Sequence, residues 1–186
     1  PFPDTECRIA SLEDGATDVP VGESGELIMR GPNTMVGYLN MKDETQHALR
    51  DLNDGGPPWL YTGDIVYMDT EGYFFVVDRK KDMAIIGGFN VYPTAVEKVL
   101  ASHPAVQDVG VTSIPHPEKA GEEALLACVV LASDQVVDKE ALVEFQTREL
   151  APYEIARRIS IVTELPRTAV GKILRRELAE AAGYKA

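Results

Sequence analysis

Five consecutive charged residues, Asp78-Arg79-Lys80-Lys81-Asp82, separate two apolar runs, Tyr73-Phe74-Phe75-Val76-Val77 before them and Met83-Ala84-Ile85-Ile86 after. Five adjacent charges cannot share a core, because each would lose its hydration without a partner to replace it. The chain must therefore surface here, between two segments that both need covering. A surfaced break between strands is a natural pivot, and it predicts two bodies with a boundary at Lys80 or Lys81.

The residues flanking the break carry the first chemical signals. Tyr61-Thr62-Gly63-Asp64 ends an aromatic strand in a tight turn, from which the Asp64 carboxylate can project and accept from two neighbouring hydroxyls, as a ribose diol requires. An Asp turn cap after glycine gives the same pattern. On the other side, Gly87-Gly88 ends the next strand, where a bulge is the ordinary meaning of glycine. Further on, Lys172 follows Gly171 between the last strand and the last helix, and Pro166, Thr168 and Gly171 favour irregular backbone. A lysine on such a loop can reach a distant site, although lysines are ordinarily exposed for no further reason. The loop is not a phosphate-binding P-loop, which needs glycine at 166 and Ser or Thr at 173, where this chain has proline and isoleucine.

At 186 residues, 45% apolar and 26% charged, the chain can build one good-sized core or two small ones. Residues 1–80 read as short strands at Cys7–Ala10 and Glu26–Arg30, a short helix over Asp43–Arg50 capped by Asp43, and a hairpin from Trp59 to Val77 whose Tyr73, Phe74 and Phe75 serve as core or interface. Residues 81–186 read as a helix started by a Thr94 to Glu97 capping box, strands at Ala105–Ile114, Ala124–Leu131 and Arg158–Val162, a helix over Asp138–Leu150 with Leu142, Phe145 and Leu150 inward, and a last helix over Ile173–Ala182. The predicted class is α+β: a small β-rich subdomain at 1–80, then a compact domain at 81–186 whose three-stranded sheet and flanking helices form two layers.

The net charge of -12 opposes nucleic acid or an anionic membrane as a partner. Charge is uneven, however: residues 157–186 hold 7 basic and 3 acidic side chains. A solvated helix face explains that surplus, and so does a tail that meets a polyphosphate. The longest apolar run, Ala124–Ala132, falls short of the ~20 residues of a membrane helix, and the first ten residues lack a secretory layout, so the chain reads as cytoplasmic with no transmembrane segment. Cys7 and Cys128 read as two buried reduced thiols. His47, His103 and His116 share no metal-ligand spacing; neither a metal site nor His-based catalysis is expected, and His103 before Pro104 reads as a helix end.

Three motifs in order, Tyr61–Asp64 with Asp78–Asp82, Gly87-Gly88-Phe89-Asn90-Val91-Tyr92-Pro93, and Leu165-Pro166-Arg167-Thr168-Ala169-Val170-Gly171-Lys172-Ile173-Leu174-Arg175-Arg176-Glu177-Leu178, resemble the last third of acyl-CoA synthetases in the adenylate-forming superfamily. The similarity runs from about Gly25 to Leu178, and Gly88–Pro93 looks most like bacterial long-chain fatty acid members. The resemblance implies that residues 1–80 end a large N-terminal domain, that residues 81–186 form a mobile cap, and that the rest of the same polypeptide lies upstream with the phosphate loop and the acid pocket. On that reading this fragment alone is inactive. The implied reaction joins a fatty acid to ATP, with Mg2+, as acyl-adenylate and then passes the acyl group to coenzyme A. The implied roles are catalysis for Lys172, ribose binding for Asp64, contact with the ribose and phosphates for Arg79, the pivot for Lys81, and passage of the CoA pantetheine arm at Gly88. A surface ion pair with Asp78 or Asp82 is the other reading of Arg79. Where the family commonly has Tyr-Lys-x-Pro, this chain has Tyr153-Glu154-Ile155-Ala156, which removes a cation credited with CoA contact. An adenylation domain that loads a carrier protein, or a non-catalytic module with the same fold, are the alternatives.

Overall fold

A computed structural model of the chain describes residues 2–184. They divide into two compact units between Lys81 and Asp82.

The first unit is a β-rich layer. Strands β1 (Glu6–Ala10), β2 (Gly25–Arg30), β3 (Leu49–Arg50), β4 (Trp59–Met68) and β5 (Phe74–Arg79), with helix α1 (Lys42–Ala48), form one sheet in the order β1-β2-β4-β3, and β5 pairs with β4. The ten-residue β4 is the centre because it alone is long enough to pair along three neighbours. Its Trp59 and Tyr61 join Ala10 and Ile28 in a small core. The buried indole is satisfied by Asp54, which accepts from Trp59 Nε1 at 3.0 Å and from Arg30 at 2.8 Å. The indole hydrogen bond, then the Gly56 amide and the Arg30 charge, hold the Asp54 carboxyl down at about 2.

Helix α1 departs from expectation in this unit, and the aromatic run read as core or interface is not its core. Helix α1 starts after Met41, not at Asp43; Thr45, inside the first turns, takes the local hydrogen bonds by accepting from Tyr38 N and donating to Met41 O. The aromatic run on β5 is not core within its own unit: Phe75 and Val76 are 43% and 72% exposed, and Phe75 stacks on Tyr67 at 5.0 Å. Phe75 and Val76 are successive residues of β5 and point to opposite sides of the sheet, while Phe74 is half-buried.

The second unit contains strands β6 (Ala84–Ile86), β7 (Phe89–Val91), β8 (Val106–Pro115), β9 (Glu123–Leu131) and β10 (Arg158–Ile161), and helices α2 (Pro93–Ala101), α3 (Lys139–Gln146) and α4 (Arg175–Ala181). The α+β class and the three-stranded sheet are as the sequence predicts: β8 pairs antiparallel with β9, and β10 lies parallel to it on the far side. The layering differs. Leu125, Ala127 and Val129 of β9 pack with Val96 and Leu100 of α2 and Leu142 of α3, whereas Leu126 and Cys128 pack with Leu178 of α4. Helices thus cover both faces, making three layers. A strand buried on both faces reads as an unbroken apolar run, and Ala124-Leu125-Leu126-Ala127-Cys128-Val129-Val130 is one. Burial pushes the Cys128 thiol up to about 11; Cys7 is only partly buried, against expectation, and both cysteines are free.

Helix α2 begins one residue earlier than predicted, with Pro93 in its first turn and Tyr92 at the cap position, because proline's fixed φ suits that place and needs no N–H partner. Helix α3 ends at Gln146 rather than Leu150. Gln146, unremarked in the sequence, is wholly buried: its amide donates to Leu142 O at 3.1 Å and Ala156 O at 3.2 Å and accepts from Ala156 N at 2.8 Å. That side chain replaces the backbone partners that the segment entering β10 lacks. Gln146→Leu strips two buried backbone groups of their partners and should destabilise the second unit by about 2–4 kcal/mol, read from amide exchange of β9.

Candidate functional site

In the first unit Thr62-Gly63-Asp64 lies inside β4, not in a turn at a strand end: it is an irregularity where Gly63 takes φ +72° and the pairing with β2 shifts between Glu26 and Ile28, and each of its residues is pinned. Thr62 Oγ1 donates to Leu27 O at 2.8 Å and accepts from Asp64 N at 3.1 Å. Gly63 N donates to Glu26 Oε1 at 3.1 Å. Glu26 is 3% exposed, and its other oxygen accepts from Lys80 Nζ at 2.7 Å. The strand ladder sets Asp64 opposite Arg79, and Asp64 Oδ1 lies 2.9 Å from Arg79 Nε. Two residues picked out separately in the sequence are thus cross-strand neighbours, and the ion pair weighed for Arg79 is made with Asp64. Asp78, buried, accepts from Arg79 N at 2.7 Å. Gly63, Arg79, Lys80 and Lys81 line an open hollow of about 290 Å³, with three cations around one glycine. Such a hollow suits an anion.

Lys80–Asp82 form a single 3-10 turn. Lys81 in its middle is exposed and makes no ion pair among the described residues.

In the second unit, Gly87 and Gly88 are the two turn residues of the β6–β7 hairpin, closed by the Ile86 and Phe89 pair. Their φ angles are +58° and +85°, the left-handed pair that a two-residue hairpin turn requires. The bulge reading is replaced by a turn. Apart from its two chain neighbours, no atom of the described residues lies within 4 Å of a Cβ built on Gly88, so glycine answers a backbone need there and leaves the tip open. Glu123 accepts from Ile85 N at 2.7 Å, and Phe89 stacks on Tyr153 at 4.3 Å, which fixes the hairpin at both ends. Beside it lies a cleft of about 410 Å³ whose lining includes His116, Tyr153, Arg157 and Arg158. Glu154, the departure from the family pattern, is occupied locally: it accepts from Ala151 N at 2.8 Å.

Lys172 rides on a small hairpin of its own. Arg167 bridges Ile173, Thr168 N donates to Lys172 O at 2.8 Å, and Gly171 N donates to Thr168 O at 2.8 Å. The Arg167 guanidinium donates to Gly171 O and to Asp108 at 2.5 Å, tying the loop to β8. The Lys172 side chain is exposed, with no ion pair among the described residues. After the loop, α4 is docked by Arg175, which donates to Glu97 Oε2 at 2.8 Å, Val111 O at 2.6 Å and Thr94 Oγ1 at 3.0 Å.

Sequence reasoning missed Glu26, Arg175 and Arg167. Glu26 had a signal, a carboxylate opening an otherwise apolar strand. Arg175 had one as well, since it stands three residues before Leu178 and so shares the inward face of α4. Arg167 had none.

Residues 95–172 match the AMP-binding enzyme C-terminal domain family. Over that stretch the chain is similar to AMP-binding enzyme C-terminal domains. It is similar to the long-chain-fatty-acid–CoA ligase of Bacillus subtilis, 44% identical over 180 residues, which covers 97% of this chain and 30% of that protein. Among solved structures it is similar to ATP-bound MatB from Rhodopseudomonas palustris, at 30% identity and TM-score 0.85, covering 96% of this chain and 34% of that one. It also resembles o-succinylbenzoate CoA synthetase from Bacillus subtilis in complex with its acyl-adenylate intermediate, at 35% identity and TM-score 0.81, covering 96% and 34%. The chain thus spans about a third of the length of the proteins it matches.

Because space at Gly88 is open, Gly88→Ala carries only the backbone penalty and should cost about 1–2 kcal/mol. Thermal unfolding of the variant chain measures it; a larger loss would mean that the Cβ meets an atom.

Proposed function

We propose that this chain is the C-terminal part of an ATP-dependent acid–thiol ligase that activates a fatty acid as acyl-adenylate and transfers it to coenzyme A. The observation that carries this reading is an exposed, unpaired Lys172 ammonium on a braced loop in one compact unit, with the Asp64 and Arg79 pair in the other. Forming an acyl-adenylate forces a carboxylate against the α-phosphate of ATP, two anions whose repulsion peaks in the transition state. A compact cation placed between them offsets that repulsion. Lys172 is suited to the task because it has no local anion to leave, whereas Arg167 and Arg175 are both committed to carboxylates of their own unit.

Asp64 would accept from the two ribose hydroxyls, and Arg79, held against it, fixes the carboxylate's orientation and adds positive charge toward the phosphates. Among the described residues no cluster of His, Cys, Asp or Glu is placed to hold a metal ion, so we assign Mg2+ to the nucleotide's own phosphates, where it would neutralise charge. In the second half-reaction the CoA sulfur bonds to the acyl carbon as the bond to the AMP oxygen breaks. The open tip at Gly88 would let the pantetheine arm pass the backbone, and the swing that exchanges Lys172 for Gly88 would turn on Lys81. Arg157 and Arg158, exposed cations without ion pairs among the described residues, line the cleft beside that hairpin and supply the positive charge that Glu154 does not.

Lys172→Ala in the full-length protein should lower fatty-acid-dependent ATP–pyrophosphate exchange by about 100-fold or more and leave thioester formation from supplied acyl-adenylate nearly unchanged. Intact exchange would remove the role assigned to Lys172. In the same protein, Arg157→Ala with Arg158→Ala should raise the KM for CoA about tenfold, with exchange unaffected; thioester formed only on a carrier protein would shift the acceptor from CoA.

A further inference from the structure

We infer that the pivot is confined to Lys81 by two clamps on its immediate neighbours, which makes Glu26 and Arg175 positioning residues; this rests on the reading of a swinging second unit. Lys80 is fastened into the first unit by the 2.7 Å ion pair to Glu26. Because Glu26 is buried and also accepts from Gly63 N, the fastening point is the frame that holds Asp64. Asp82 is fastened into the second unit: its Oδ2 lies 3.8 Å from Arg175 Nε. Arg175 is itself immobilised by Glu97, Val111 O and Thr94, and its side chain is 18% exposed. The fastening point there is the start of the helix that follows the Lys172 loop.

Between the two lies one residue, exposed and unpaired among the described residues. A tether of several loose residues would let the second unit wander through many orientations. A single free residue between two fastened ones confines rotation to a few backbone torsions, as hinges that select between two defined orientations require. The clamps also differ in strength. The Glu26 pair is a hydrogen-bonded contact at 2.7 Å to a buried carboxylate, and the Asp82 pair, at 3.8 Å, is beyond hydrogen-bond length, so the second-unit side is the one to loosen first.

Hydrogen–deuterium exchange on the full-length protein tests the clamps apart from any activity. Lys80→Gln and Asp82→Asn should each speed exchange of the amides of residues 80–82 about fivefold, with β4 and β9 unchanged, and Lys80→Arg, which keeps the cation, should restore protection. Unchanged exchange at 80–82 in both variants overturns the inference, whether or not the protein forms adenylates. Kinetics then separates positioning from plain stability. Overall thioester synthesis should fall about threefold or more in Asp82→Asn, while each half-reaction measured alone stays within about twofold of wild type. Equal losses in both half-reactions would make that ion pair merely structural. Wild-type protein that forms no acyl-adenylate would sink the functional reading and leave the exchange result to decide the clamps.

Discussion

The buried carboxylate of Glu26 is the contact on which the first unit's chemistry depends. Removing a charge from water costs several kcal/mol unless partners replace the hydration, and here they do: the Gly63 amide on one oxygen and the Lys80 ammonium on the other. Each partner belongs to a different segment of the pattern, Gly63 to the irregular part of β4 that presents Asp64 and Lys80 to the charged break. One side chain therefore sets that part of β4 and ties the break back to the sheet. Glutamine, the neutral residue of the same shape, keeps one oxygen for the Gly63 amide but lacks the charge that holds the Lys80 ammonium.

The second unit uses the same device at different places. A three-stranded sheet covered on both faces leaves its loops with few apolar contacts, and those loops carry the residues of interest. Polar side chains brace them instead: Glu123 holds the β6–β7 hairpin through Ile85 N, Gln146 holds the entry to β10 through Ala156, Arg167 holds the Lys172 loop through Asp108, and Arg175 holds α4 through Glu97. Each brace reaches from a loop or helix end to a packed element. The tips beyond the braces, Gly88 and Lys172, remain open, which is the arrangement that rigid presentation to an external ligand requires.

Most of this was legible from local pattern. The charged break marked where the chain surfaces at Arg79 and Lys81, although Asp78 is buried, the apolar runs marked the strands of the second sheet, and the three motifs carried the resemblance. What failed depended on tertiary context. Asp43 and Thr94 had the residue type for caps, but the helices begin at Lys42 and Pro93, and Thr94 answers to Arg175 from a distant segment. Tyr73 and Phe75, read as core or interface, are exposed in their own unit, because alternation gives the side of a strand and not what covers it. The two-layer expectation missed that β9, apolar at successive positions, must be covered twice. Gln146 was invisible because a glutamine on an amphipathic helix gives no sign that backbone groups elsewhere need it.

The basic surplus at the end of the chain looks different once its members are placed. Either a solvated helix face or a polyphosphate contact could explain it from composition. Arg175 and Arg167 fit neither, being internal braces, and Arg176 pairs with its neighbour Glu177 at 3.4 Å. Among the described residues that leaves Arg157, Arg158 and Lys172 as cations of this stretch without an ion pair. The braces thus have a second effect. They engage Asp108 and Glu97, two carboxylates of the same unit, and a chain with a strongly negative balance still presents a positive charge at the tip of one loop.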